Sequence, residues 1–136
     1  MRTICVTGSR DYQNWKLLFD SLNNIITEYK YIAIKFGDCE TGADLYADMF
    51  AYAHRVQHVK YIAEWDILGK KAGPIRNHRM IDSGIDEVLA FPLDSSKGTL
   101  DCCSYAHKKG VPVTFPEMRT GAVRSSWWDW AEIISN

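Results

Sequence analysis

Residues 3 to 12 read TICVTGSRDY. A run rich in β-branched side chains stops at Gly8, and hydroxyl, cationic and acidic residues follow at once. Such a run reads as a buried strand. What comes next decides the fold. Over Asn14–Tyr29, the residues Trp15, Leu18, Phe19, Leu22, Ile25, Ile26 and Tyr29 recur on one helical face. A strand, a glycine turn and an amphipathic helix are the opening of a βαβ unit.

The same alternation continues outward. Ile32–Phe36 reads as a second strand ending in GDCETGAD. It leads into a helix over Ala43–Arg55 with Ala43, Ala47, Phe50, Ala51 and His54 inward. His58–Ala63 is a third strand. It opens into EWDILGKKAGPIRNHRM, residues 64–80, a donor-rich loop running into a helix over Pro74–Asp82. There proline takes the favoured first position and Gly84 lies just past the end. Glu87–Phe91 is a fourth strand followed by PLDSSKGT, Thr99–Lys109 a helix stopped by Gly110, and Val111–Phe115 a fifth strand. Loops this short between strands and helices imply right-handed crossovers. The fold expected is α/β, a parallel sheet of about five strands with helices on both faces.

Residues 1–116 are assigned to that domain and 117–136 to a tail. Glu117–Ser126 is linker-like, and SSWWDWAEII puts Trp127, Trp130, Ala131 and Ile134 on one face of a short helix. The tail is expected to cap the chain's own core; contact with another copy is the sharper alternative. A homo-oligomer is expected, with these tryptophans its candidate contact.

Composition narrows the function. Sixteen Lys and Arg against 17 Asp and Glu give a net charge of −1, which argues against a general nucleic-acid binder. The four cysteines show no CxxC pair and no zinc spacing, so reduced thiols in a cytoplasmic protein are expected, with no metal and no cofactor. The first residues turn polar too soon for a signal peptide, and no apolar run reaches the ~18 residues of a membrane span.

In a parallel sheet all strand C-termini share one edge, where open α/β folds bind ligands. The four loops at that edge are GSRD, GDCETGAD, the 64–80 stretch and PLDSSKGT, rich in glycines, hydroxyls and charges. The opposite connections, YKY, VQ, SGID and KKG, are plain turn chemistry. Glycines let backbone N–H groups approach phosphate, and helix N-termini favour anions. The candidate ligand-binding residues are therefore Gly8, Ser9 and Arg10; Gly37, Gly42, Ala43 and Asp44; Trp65, Lys70, Gly73, Arg76 and Asn77; and Ser95, Ser96, Lys97, Gly98 and Thr99. Trp65 is placed to stack on a ring. Lys71 and Arg79 are further cations near the rim. The GxGxxG and GxxxxGK[ST] fingerprints are absent, against an ordinary NAD dehydrogenase or P-loop NTPase.

Taken in order, VTGSRD, G-D-x-x-T-G-A-D, W-D-x-x-G-K-x-A-G-P-x-R-N-x-x-M, L-A-F-P and K-G-T-x-D resemble the SLOG superfamily, which includes Lonely-guy and Smf/DprA proteins. The resemblance is closest to its small YspA-like, YpsA-related branch, and covers about residues 2–115. It implies a Rossmann-like fold that binds nucleotides or nucleotide-derived signals. The enzymatic branch carries P-G-G-x-G-T-x-x-E, with the Glu acting at a glycosidic bond. Here the Glu position is Cys102 and two of the glycines are missing. A thiol is a poor substitute for a carboxylate beside an oxocarbenium-like state. The expectation is thus a protein that senses or sequesters a nucleotide-derived molecule, of cyclic or ADP-ribose type, with phage counter-defence as one version. The alternative is a nucleotide N-glycosidase, phosphoribohydrolase or deoxyribosyltransferase using Asp101, Glu40 or Asp44, with Asp66 a further rim carboxylate. A module that recruits a partner through its tryptophans is the third reading.

Overall fold

In a computed structural model, which describes residues 1–94 and 96–135, five strands alternate with helices. The order is β1 (Arg2–Gly8), α1 (Trp15–Tyr29), β2 (Ile32–Gly37), α2 (Gly42–Ala53), β3 (Gln57–Tyr61), α3 (Trp65–Leu68), a 3-10 turn (Gly69–Lys71) and α4 (Ala72–Asp82). Then come β4 (Glu87–Phe91), α5 (Lys97–Lys108), β5 (Val113–Thr114), a second 3-10 turn (Pro116–Arg119) and α6 (Trp128–Ser135). All neighbours in the sheet are parallel, in the order β3-β2-β1-β4-β5. The chain starts in the middle, steps outward to β3, then crosses back to β4. The strand order therefore reverses between β1 and β4, with Gly8 paired to Phe91 at their C-terminal ends.

Strand alternation sends side chains to two cores. Ile4, Val6, Ile32, Ile34 and Phe36 pack under α1 and α2 with Leu18, Leu22, Ala47 and Phe50. Cys5, Val88 and Ala90 face α4, α5 and α6, meeting Met80, Cys102, Ala106, Trp127 and Ala131. Each large apolar side chain so buried contributes roughly 1.5–3 kcal/mol. The tail does cap the chain's own core: Trp127, Ala131 and Ile134 are buried, and Trp130 stands edge-on to Phe115 at 5.5 Å. Ser126 Oγ donates to Asp94 at 2.9 Å, anchoring the tail near the strand ends.

Several boundaries differ from the sequence reading. Residues 65–73, read as a loop, are helical, and α4 begins at Ala72, so Pro74 is the third helical residue. Proline is tolerated there because the first four N–H groups of a helix have no partner within it. α5 begins at Lys97 behind Ser96, two residues early, and β5 shrinks to two residues. Trp15 and Tyr29 are exposed rather than inward. A 15-residue helix spans about 22 Å, slightly more than the strand beneath it, so its end aromatics lie at the margins. Tyr29 there packs under the Arg2 guanidinium at 4.4 Å. Among the described residues, no helix is long and apolar enough to cross a membrane.

Candidate functional site

The C-terminal ends of β1 and β2, together with the start of α2 and with α3, α4 and α5, enclose a cleft of about 1120 Å³. It sits over the β1/β4 reversal. Gly8 forms its floor. A Cβ there would stand 2.7 Å from both the Ala43 Cβ and the Phe91 carbonyl oxygen, so only glycine lets three elements meet at this point. Ser9 N–H then donates to the Phe91 oxygen at 3.1 Å, while the Ser9 carbonyl accepts from Tyr12 N and Ala43 N, each at 3.2 Å. Thr41 Oγ1 donates to the Arg10 carbonyl at 2.7 Å. The first loop is in this way clamped onto the start of α2. Gly42 sits inside the clamp at φ +68.

Arg76 reaches the same floor from the first turns of α4. Its Nη1 donates to Asp38 Oδ1 at 2.7 Å and to the Tyr61 carbonyl at 3.2 Å, and its Nε to Asn77 Oδ1 at 2.8 Å. Only 11% of the side chain is exposed. The guanidinium and the Asp44 carboxylate both lie over Gly37, where a Cβ would be 2.6–2.7 Å from them. Burial pushes the Asp44 carboxyl up, opposed by the N–H groups of Cys39 and Gly37 and by Arg76. This acid is partly desolvated at the cleft floor, the environment in which carboxylates acquire unusual protonation behaviour.

Two walls complete the cleft. The Trp65 ring rests against Gly73, whose Cβ would be 3.0 Å from the indole Cη2, and half of it remains exposed. The opposite wall is the start of α5, with Ser96, Lys97, Gly98 and Thr99; Ser96 Oγ accepts from Leu93 N at 2.8 Å. One turn further on, Asp101 faces the cleft and meets His78 Nε2 of α4 at 2.9 Å. The His78 ring stacks on Tyr105 at 3.9 Å, and the Tyr105 hydroxyl donates to Asp82. Cys102, which the resemblance sets at the Glu position of the enzymatic branch, lies buried in the core beside Cys5. Its hydrogen bond and burial push the Cys5 thiol up, and burial does the same to Cys103. These are inert core thiols.

Most candidate residues converge. Gly8, Ser9, Arg10, Gly37, Asp44, Trp65, Lys70, Gly73, Arg76, Asn77, Ser96, Lys97, Gly98 and Thr99 line one cleft, as do Glu40 and Asp101. Gly42 and Ala43 do not: they lie behind it, and the Ala43 N–H is occupied by Ser9. Ser95 lies outside the described residues. Asp66, Lys71 and Arg79 are not part of the lining, and Arg79 lies over the Tyr61 ring. The sequence reading missed Asp38 and the His78–Asp101 pair. Asp38 was visible in GDCE but carried no signal of its own, and His78 stands 23 residues from its partner. The cleft is also less positive than expected. Arg76 is neutralised by Asp38, and Asp11, Glu40, Asp44 and Asp101 join the lining. Among the described residues Arg10, Lys70 and Lys97 form no ion pair. No group of three or more possible metal ligands occurs among the described residues.

The sequence model of the YspA, cpYpsA-related SLOG family matches residues 2–67, which hold the first two glycine loops and Trp65. The chain is also similar to the Gene 61 protein of Mycobacterium phage D29, 36% identical over 118 residues that cover 83% of this chain and 94% of that one. With its all-parallel sheet and glycine-floored cleft, the chain belongs to the YspA, cpYpsA-related SLOG family.

Proposed function

We propose that the cleft holds a nucleotide-derived small molecule, and that the protein acts by binding it, as a sensor or a sequestering agent. The observation that carries this reading is the mixture of groups converging at the β1/β4 reversal. Arg10, Lys70 and Lys97 suit an anionic end; Asp11, Glu40 and Asp101 suit donors such as ribose hydroxyls; Trp65, seated on Gly73, suits a flat ring. A purely phosphate ligand would be repelled by so many carboxylates, whereas a phosphorylated nucleoside uses both charge signs. A volume of about 1120 Å³ accommodates a ligand larger than a mononucleotide, in line with a cyclic or ADP-ribose-type signal. The similarity to a phage gene product favours sequestration of a host signalling nucleotide.

The test is isothermal calorimetry against a panel of mononucleotides, cyclic oligonucleotides and ADP-ribose, with mass spectrometry of the recovered ligand. Binding with intact ligand returned is the expected result. No heat with any member would sink the reading.

A second reading, N-glycosidic cleavage, is favoured by one observation. Asp101 faces the cleft and is held by His78, so a positioned carboxylate exists although the Glu position of the enzymatic branch is a buried cysteine here. Release of free base from nucleoside monophosphates, abolished by Asp101→Asn, would establish it. Binding without base release would dismiss it.

A further inference from the structure

The α5 wall of the cleft has a second layer behind it. Asp101 lines the cleft; His78, on α4, does not, and its Nε2 lies 2.9 Å from the Asp101 Oδ2. A carboxylate only accepts, so Nε2 carries the proton and donates. The His78 ring is itself held. It stacks on Tyr105 at 3.9 Å with 7° between the planes, and the Tyr105 hydroxyl is shared between the two Asp82 oxygens, 2.8 Å from each. Lys109 lies over the same Tyr105 ring at 5.3 Å. Stability does not account for this arrangement. The His78 and Asp101 side chains are 37% and 42% exposed, and pairs so open to water contribute little. α4 and α5 already share a core of Met80, Ile81, Cys102, Cys103 and Ala106, all buried. What the arrangement does fix is the direction of one acceptor. With Oδ2 taken by His78, no other side chain among the described residues donates to Asp101, and Oδ1 is left for the cleft.

We propose, resting on the ligand reading above, that His78 is a positioning residue which aims the free oxygen of Asp101 at the 2′,3′-diol of a ribose. The cleft thereby takes ribonucleotides in preference to nucleotides that lack the diol. Three features select this group. First, Lys97 and Asp101 are four residues apart on α5 and both line the cleft, so a cation and an acceptor follow one another along one wall, roughly 6 Å apart. The 5′-phosphate and the diol of one nucleotide are spaced to meet such a pair. Second, Trp65 stands on the opposite wall, which draws the base away from Asp101 and leaves the sugar between them. Third, Asp101 repels a further phosphate but accepts from a hydroxyl, and a hydrogen bond to a carboxylate is about twice as strong as one between neutral groups. A carboxylate free to swing loses part of that strength to the ordering of its own side chain. The bond from His78 removes that loss before the ligand arrives.

The test titrates two probes, AMP and 2′,3′-dideoxy-AMP, into the full chain at up to millimolar concentration and reads the ratio of their dissociation constants by calorimetry. The wild type is expected to favour AMP by about 10- to 100-fold. His78→Phe keeps the stack on Tyr105 and removes the donor, and is expected to shrink that preference by about 10-fold, as is Asp101→Ala. His78→Gln, whose amide donates from nearly the position of Nε2, restores it. Melting temperatures of all three variants should stay within about 3 °C of the wild type, because the pair is exposed. A merely structural role would instead lower the melting temperature and weaken both probes alike, with the ratio unmoved. Equal affinity of the wild type for the two probes, a preference that survives His78→Phe, or one that His78→Gln fails to restore would each overturn the proposal and leave the ligand reading standing. No response to AMP overturns it as well, and silence across the whole nucleotide panel overturns both.

Discussion

Replacing Gly42 by Ala tests whether the clamp between the first loop and α2 holds the cleft together. At φ +68 an alanine is strained by about 1 kcal/mol. Its Cβ would also fall onto the Ser9 carbonyl oxygen and lie 2.6 Å from the Arg10 carbonyl group. Both are backbone atoms, so relief requires the loop or the helix to move, at roughly 1–3 kcal/mol for such overpacking. Movement lengthens the Ala43–Ser9 and Thr41–Arg10 hydrogen bonds, each with a net value of about 1 kcal/mol. The expected loss is about 4 kcal/mol, a fall in melting temperature of about 12 °C for a domain of this size. Gly98→Ala is the internal contrast. No atom of the described residues lies within 4 Å of its Cβ and the residue sits in the first turn of α5, so alanine should be neutral or stabilising by up to about 1 kcal/mol. Thermal and urea unfolding of both variants decide the matter. If Gly42→Ala melts within about 3 °C of the wild type, or Gly98→Ala costs as much, the clamp argument fails.

Other outcomes follow from the same geometry. Trp65→Ala should weaken nucleotide binding by about 1–3 kcal/mol while leaving stability nearly unchanged, because the ring is half exposed; calorimetry and melting curves separate the two. Arg76→Met should destabilise by about 3 kcal/mol by leaving Asp38 without its partner, and adding Asp38→Asn should recover part of that in urea unfolding. Asp44 has its carboxyl raised by burial, so its ionised form costs native stability once pH rises above the ordinary carboxylate range near 4. Asp44→Asn should therefore lose little stability at neutral pH, and the difference between variant and wild type should shift toward the variant as pH rises above about 4 in denaturant titrations. Tyr12 is held protonated by burial and by donation to Glu117 at 2.8 Å. The unfolded chain releases that proton near pH 10 and the folded one does not, so stability falls as pH climbs past about 10. Tyr12→Phe should flatten that decline while costing about 1 kcal/mol at neutral pH.

Much of the candidate site was legible because it depends on local chemistry repeated at fixed places in a parallel sheet. Once Ile4 and Val6, then Ile34 and Phe36, are read as strands, topology sends Gly8, Gly37 and the turn before α5 to one edge. The roles within that edge were not legible. Arg76 reads as a free cation until the fold brings Asp38 to it across 38 residues. Gly42 and Ala43 read as phosphate-facing, and only the tertiary structure turns them backward as a brace for Ser9 and Arg10.

Periodicity and turn chemistry are short-range, so the sequence alone determined the alternation of strands and helices, the parallel sheet and the inward face of the tryptophan tail. Strand order, the α3 turn that seats Trp65 on Gly73 and the pairing of His78 with Asp101 belong to the tertiary structure. Each of them depends on contacts between residues far apart in the chain, and no local pattern encodes which distant partner will arrive.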